Sequence, residues 1–291
     1  MATLDARLAP ARSVAGTRVR RPALRSRSAV LGIGFAVFVV AVLLLPLWLG
    51  SPDKLALSVR LHGPTLHHWF GTDEFGRDVL TRVVYGARVS WAVGACASVC
   101  ALVAGGIYGS AAAVLGRRVD AVLMRALEVV LAFPGPLLAL VLAVAIGPGM
   151  KTVIIAISIV YAAPVARLIR GLVIDELKQD YVVAARLVGS GRLRILVRHV
   201  AVNIAAPVLV FMMTVAADAI LVEAGLSYLG AGVSPPTPAW GSMVQEGQTL
   251  VFGGVWWVSL FAGLAIAVTV FGLNTIADSV VDDLRVGGRR G

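Results

Sequence analysis

The chain has 291 residues, of which 58% are hydrophobic and only 14% charged, and its mean hydropathy is +0.88. Soluble domains carry about 25% charged residues, so the composition excludes an ordinary soluble domain and predicts an all-α membrane protein with no length left for a separate soluble catalytic domain. The net charge of +10 does not indicate nucleic acid, because no folded basic module with aromatic or base-reading partners accompanies it.

In chain order, residues 1–28 hold seven arginines and little apolar periodicity, and read as a disordered basic tail. Ala29 to Leu49 is long enough to span and lacks an A-x-A-like cleavage site at its end, which predicts an uncleaved first crossing. Leu61 to Phe70 contains His62, His67 and His68 without carboxylate or thiol ligands at metal-site spacing, so a solvated loop is expected there and no metal site. From Gly71 the pattern is amphipathic, with Phe75, Val79 and Val83 on one face and Glu74, Arg77, Asp78 and Arg82 on the other. It predicts an interfacial helix capped by Thr72 or Asp73, with an Asp78–Arg82 pair, leading into a second crossing over Val89 to Gly116. Cys96 and Cys100, a turn apart in that crossing, read as small packing residues, and Gly94, Gly105, Gly106 and Gly109 predict close helix packing.

Val129 to Met150 predicts a third crossing, with Arg125 and Glu128 placed to pair near its start. Phe133-Pro134-Gly135-Pro136 breaks it; the break is a kink between packed helices or the lining of a path, since carbonyls freed in a bilayer must face protein or water. Thr152 to Ala166 is a fourth crossing if Arg167 and Arg170 snorkel to the interface. The stretch 167–203 carries seven basic side chains, a helical period as far as Gly189, a Ser190-Gly191 break and a second short amphipathic helix. It reads as a structured hairpin outside the membrane. Val183, Ala184, Ala185 and Gly189 put small residues on one face of it, which lets another protein approach the backbone closely.

Ile204 to Leu229 is a fifth crossing containing Asp218 and Glu223, each costing about 3 kcal/mol if it faced lipid. Both must face the bundle or a cavity, as a polar position in a path or as an interhelical hydrogen bond. Pro235, Pro236 and Pro238 stop the helix, and with Trp240, Trp256 and Trp257 predict an aromatic outward-facing loop at headgroup level. Gly247 to Ala277 is the sixth crossing, and the acidic and basic residues after it read as a solvated helix end. An N-terminus inside the cell puts nineteen basic side chains in cytoplasmic pieces and six in external ones, so both termini and the hairpin are expected in the cytoplasm. The expected organisation is a tail over 1–28, a membrane domain over 29–285 and a C-terminal tail over 286–291.

Three ordered segments carry a resemblance. Val183-Ala184-Ala185-x-x-x-Gly189 resembles the Glu-Ala-Ala-x-x-x-Gly loop of bacterial ABC-importer permeases. Gly71-Thr72-Asp73-Glu74-Phe75-Gly76-Arg77-Asp78, and the stretch from Leu226 through Pro235, Pro236 and Pro238 to Trp240-Gly241, resemble signatures of the C-type permease subunit of dipeptide, oligopeptide and nickel importers. The likeness runs from about residue 30 to 285. It departs at Val183, where that family usually has Glu, and at Ala201-Val202, where it often has Leu-Pro. The resemblance implies a type I importer permease of six transmembrane helices, with the coupling hairpin between the fourth and fifth. It implies docking on ATPase subunits through Val183, Ala184, Ala185, Arg186, Gly189 and Arg192. The path would be lined by Phe133, Pro134, Asp218 and Glu223, and an extracytoplasmic solute-binding protein would dock near Pro235, Pro236, Pro238 and Trp240. Its other partners would be a second, similar permease, two ATPase subunits or domains, and the bilayer of the bacterial cytoplasmic membrane.

No G-x-x-x-x-G-K-[ST] occurs, since Met150 displaces the glycine before Lys151, so ATP and Mg are expected on partner ATPases and no cofactor in this chain. The cargo expected is a peptide, with nickel or another small solute as the alternative. An intramembrane hydrolase built on Ser227 lacks a histidine in any predicted span to act as its base. A channel or secondary transporter would leave the long basic hairpin without a role.

Overall fold

The computed structural model describes residues 22–287, and no β-strand occurs among them. The basic tail up to residue 21 and residues 288–291 lie outside the described part. In order, the helices are α1 (Pro22–Leu44), α2 (Val79–Val114), α3 (Arg117–Leu131), α4 (Gly135–Ile146) and α5 (Met150–Glu176). They continue with α6 (Asp180–Leu187), α7 (Arg192–Ile195), α8 (Ala201–Tyr228), α9 (Trp240–Val251) and α10 (Trp257–Gly287). A π-helical turn, Leu196–Val200, joins α7 to α8. The protein is an all-α membrane protein. Four helical runs are long and apolar enough to cross a membrane: α2, α5, the continuous Arg192–Tyr228 and Trp257–Val281 of α10.

The remaining two predicted crossings are altered by proline. Leu45–Leu47 is a 3-10 turn containing Pro46, so α1 stops at Leu44, short of Leu49, and its apolar part Gly32–Leu44 is short for a crossing. It starts at Pro22, inside the stretch read as tail. The third crossing is not one straight helix: α3 and α4 meet at 85° across Ala132–Pro134. Pro134 and Pro136 offer no backbone N–H at the corner. The 12 residues of α4 cover about 18 Å, less than the ~30 Å hydrocarbon core, so α3 and α4 make a crossing only together. α3 is held crosswise by Asp120, which accepts from Arg170 Nη2 at 2.5 Å, and by Tyr108 of α2, whose hydroxyl donates to Leu123 O at 2.8 Å. Arg170 therefore reaches an acid on α3. The predicted sixth crossing is likewise split, because Gly253 and Gly254, the latter at φ +84°, turn the chain between α9 and α10.

The centre of the bundle is the contact of α2 with α5. Ala97, Ala101, Gly105 and Gly109 recur every four residues on one buried face of α2. A Cβ on Gly105 would sit 2.7 Å from the Ala162 carbonyl oxygen, and one on Gly109 would collide with that of Ala166. Glycine is thus required by proximity of two backbones, the small-residue device of membrane helices. Cys96 and Cys100 fall on the opposite, exposed face of α2, so they are not packing residues within this chain as expected.

The segment Gly71–Asp78 also departs from the expected helix. It does not form an amphipathic helix; α2 starts at Val79 with Asp78 as its N-cap, accepting from Thr81 N and Thr81 Oγ1, both at 2.8 Å. Asp78 therefore does not pair with Arg82. Instead Asp73, almost fully buried, accepts from Phe75 N and Arg77 N at 2.9 Å, Arg77 Nε at 2.6 Å and Arg82 Nη1 at 2.7 Å. Arg82 also donates to Glu246 of α9 at 2.6 and 3.2 Å, and Arg77 lies 3.5 Å from the same carboxylate. Two arginines and two carboxylates form a closed, charge-balanced knot. Trp240, at the start of α9, is fully buried and does not face outward, and its indole N–H donates to Val83 O at 2.9 Å. Trp257 is buried too and donates to Thr72 O at 3.0 Å, while Trp256 stays half exposed.

Breaking one partner of a buried ion pair leaves a charge unpaired and costs about 3–5 kcal/mol. Glu246→Gln should therefore lower the thermal unfolding midpoint of the purified protein markedly. Glu74→Gln, which touches no knot residue, should leave it within about 0.5 kcal/mol of wild type; equal midpoints for the two variants would remove the knot's structural role.

Candidate functional site

The hairpin begins later than the sequence predicts. α5 keeps Arg167 and Arg170 and runs to Glu176; Leu177–Gln179 then turns the chain and α6 restarts at Asp180. A first-turn aspartate favours that restart by complementing the positive helix end. α6 ends on Gly189 at φ +84°, with Gly189 N donating to Arg186 O and Ser190 N to Ala185 O, both at 3.0 Å. A left-handed glycine is the usual stop at this position.

Inward-facing residues anchor the hairpin. Val182, Ile195 and Val200 are buried and pack with Val173, Ile204 and Val208 of α5 and α8. A polar brace ties its two roots: Asn203 Nδ2 donates to Glu176 Oε1 at 3.0 Å and to the Tyr181 hydroxyl at 2.8 Å, and that hydroxyl donates to Glu176. Desolvation, and then the Glu176 carboxylate, raise the Tyr181 phenol above its usual pKa, which keeps it protonated and donating. The outward face is different. Leu187 and Val188 are 84% and 82% exposed, Val183 is 47% exposed, and Ala184, Arg186, Gly189 and Arg192 are exposed beside them, with Ala185 half buried. The braced loop thus presents apolar side chains to the outside.

The polar residues of α8 separate. Glu223 is fully buried and accepts from Ser90 Oγ of α2 and Ser227 Oγ, each at 2.8 Å. Ser227 Oγ accepts in turn from Val233 N at 3.2 Å, and Gly149 N at the start of α5 donates to Gly232 O at 3.0 Å. Glu223 therefore ties α2, α8 and the loop after α8. Asp218 is half buried, and among the described residues it has no hydrogen bond or ion pair. Phe133 and Pro134 are exposed at the corner of α3 and α4. In the loop, Pro235 and Pro236 are exposed, whereas Pro238 and Trp240 are buried. The brace residues Glu176, Tyr181 and Asn203, and the partner Ser90, were not legible as site residues, because nothing in local spacing joins them.

Residues 101–285 match the family described as binding-protein-dependent transport system inner membrane component. The chain belongs to this family. A Brucella suis relative, provisionally assigned as a peptide transport system permease protein, is 42% identical over 266 residues, covering 91% of this chain and 89% of the relative. The dipeptide transport system permease protein DppC of Bacillus subtilis is 36% identical over 248 residues, covering 85% and 78%. The di/tripeptide transport system permease protein DppC of Pseudomonas aeruginosa is 35% identical over 267 residues, covering 89% and 88%. The family match takes in the hairpin, Asp218, Glu223 and the Pro235–Trp240 loop, so this multi-pass membrane permease carries each of those features within the family domain.

Glu223→Leu strands the Ser90 and Ser227 hydroxyls in the core, at about 1–3 kcal/mol for each orphaned group. It should reduce the yield of monodisperse protein and lower its melting temperature. Glu223→Gln, which can still accept from one hydroxyl and donate to the other, should fold; size-exclusion chromatography and thermal melts distinguish the two. A folded Leu variant of wild-type stability would show that Glu223 does not hold the helices together.

Proposed function

We propose that this chain is the non-catalytic permease subunit of an ATP-driven importer of peptides, forming half of the translocation path with a second, homologous permease. Separate ATPase subunits, carrying ATP and Mg, dock on the hairpin through Val183, Ala184, Ala185, Arg186, Gly189 and Arg192. An extracytoplasmic solute-binding protein delivers cargo at the opposite end, near the exposed Pro235 and Pro236. The protein sits in the bacterial cytoplasmic membrane with both termini inside. The observation that carries this reading is the exposed apolar tip at Val183, Leu187 and Val188 on a hairpin whose roots are braced. The peptide cargo is supported by the names of relatives at 35–42% identity. Asp218, half buried in α8 and without a hydrogen bond or ion pair among the described residues, suits a cargo with charged termini better than an apolar one.

Val183, in place of the family's usual Glu, removes an ion pair from the docking contact and leaves apolar burial as its main term. Burying a leucine is worth about 2 kcal/mol, roughly thirtyfold in affinity. Leu187→Asp should therefore cut the ATPase subunits that copurify in mild detergent by at least about tenfold, with the permease pair intact and peptide-stimulated ATP hydrolysis lost. Purification of the wild-type chain from its native membrane, with mass spectrometry of what accompanies it, tests the whole assembly. Recovery of the chain alone, active in vesicles without ATP, would overturn the importer.

A further inference from the structure

At the hairpin end of the bundle a cleft of about 480 Å³ opens between α2, α5, the π-helical turn and α8. Gly106, Ile107, Ala111, Val173, Val197 and Ile204 line it, with Ser110 its one side-chain hydroxyl. Its lining on α2 extends from Leu115 back to Gly106, about 13 Å into a membrane-crossing helix. The inner end therefore lies along a membrane-crossing helix, where the acyl chains of a bilayer are at hand.

The rims are basic. Arg117 and Arg118 follow the lining residue Leu115 on one side, and Arg192, Arg194 and Arg198 alternate with the lining residues Leu193, Leu196 and Val197 on the other. All five arginines are exposed, and none forms an ion pair with another described residue. Asp120, the acid nearest in sequence to the first pair, is engaged by Arg170. Apolar depth with cationic walls at its mouth matches one chemistry present in the membrane: an acyl chain below an anionic headgroup.

We propose that this cleft binds an anionic phospholipid, one acyl chain lying along Gly106–Leu115 and the headgroup phosphate held between the Arg117–Arg118 and Arg192–Arg198 rims. The bound lipid fills the gap between α2 and the root of the hairpin. It therefore becomes part of the contact between the hairpin and the spans. The site depends on the chain's place in a membrane and not on the cargo it moves.

The test is native mass spectrometry of the full chain in detergent, titrated with phosphatidylglycerol or with phosphatidylcholine of the same acyl chains. Expected is preferential retention of phosphatidylglycerol, falling by about fivefold for each arginine removed in Arg194→Gln and in Arg194→Gln with Arg198→Gln. Ala111→Trp, which fills the cleft, should abolish retention of the lipid while the protein stays monodisperse. If that variant aggregates, the arginine variants decide alone, because their positions are exposed. Equal retention of the two lipids, or retention unchanged in the arginine variants, would overturn the proposal. So would displacement of the lipid by inorganic phosphate alone, which would reveal a free-anion site. Loss of the lipid when ATPase subunits bind would assign the cleft to them.

Discussion

Everything in this fold rests on how closely α2 approaches α5. Lipid tails are as apolar as leucine, so no hydrophobic force draws two helices together inside a bilayer, and van der Waals contact between close backbones must do it. The 2.7 Å space at Gly105 and the smaller one at Gly109 exist because every fourth position of α2 is small. Around that pair the other elements find their places. α3 crosses its end through Asp120 and Tyr108, α8 lies against Gly94 through Ile220, and Gly86 admits the edge of Trp240. Bulk at any of these positions would separate helices, not merely crowd a side chain.

The second constraint is that polar groups inside the bundle are paired with one another, because no water is there to serve them. The Asp73–Arg77–Arg82–Glu246 knot and the Ser90–Glu223–Ser227 bridge meet this demand in two ways, one by charge balance and one by hydroxyl donors. Both also join distant parts of the chain. Arg82 and Glu246 lie 164 positions apart, and Ser90 and Glu223 lie 133 apart. Asp218 is the exception among the acids of α8, and its half-buried, unpaired state is what separates it from Glu223 five positions on.

This explains what was legible in the sequence. The all-α membrane class, the main crossings and the glycine packing of α2 are carried by composition and by period, which are local properties. Corners were only half legible: Pro134 announced a break, but not that it would turn α3 through 85° away from α4. Gly253 and Gly254 were absorbed into an apolar run that the chain in fact divides. Gly71–Asp78 fits a helix wheel by its alternating apolar and charged residues, but in the fold Asp73 binds Arg77 and Arg82, Asp78 caps α2, and Arg77 lies against Glu246 of α9. Trp240, expected to face outward, is buried for a similar reason. Tryptophans favour headgroup level on average, and only tertiary structure puts the Val83 carbonyl opposite its indole N–H. The hairpin itself is legible from its period and its Ser190-Gly191 break, but the brace that holds it is not, because Glu176, Tyr181 and Asn203 are brought together only by the fold.

The two ends of the bundle consequently differ in kind. At the end where α2 begins, knot, tryptophans and the Glu223 bridge fix α2 to α8, α9 and the following loop. At the other end the hairpin is joined to α5 and α8 through the Glu176–Tyr181–Asn203 brace and a buried apolar cluster, with its tip exposed. α6 is tied at its first turn by Tyr181, the Gly189–Gly191 turn follows it, and from Arg192 the chain runs on through α7 and the π-helical turn into α8. α5 and α8 are both held against α2, α5 by the glycine face and α8 by the Ser90–Glu223 bond, whereas α3 with α4 at Pro134, and α10 with α9 at Gly254, are attached by corners.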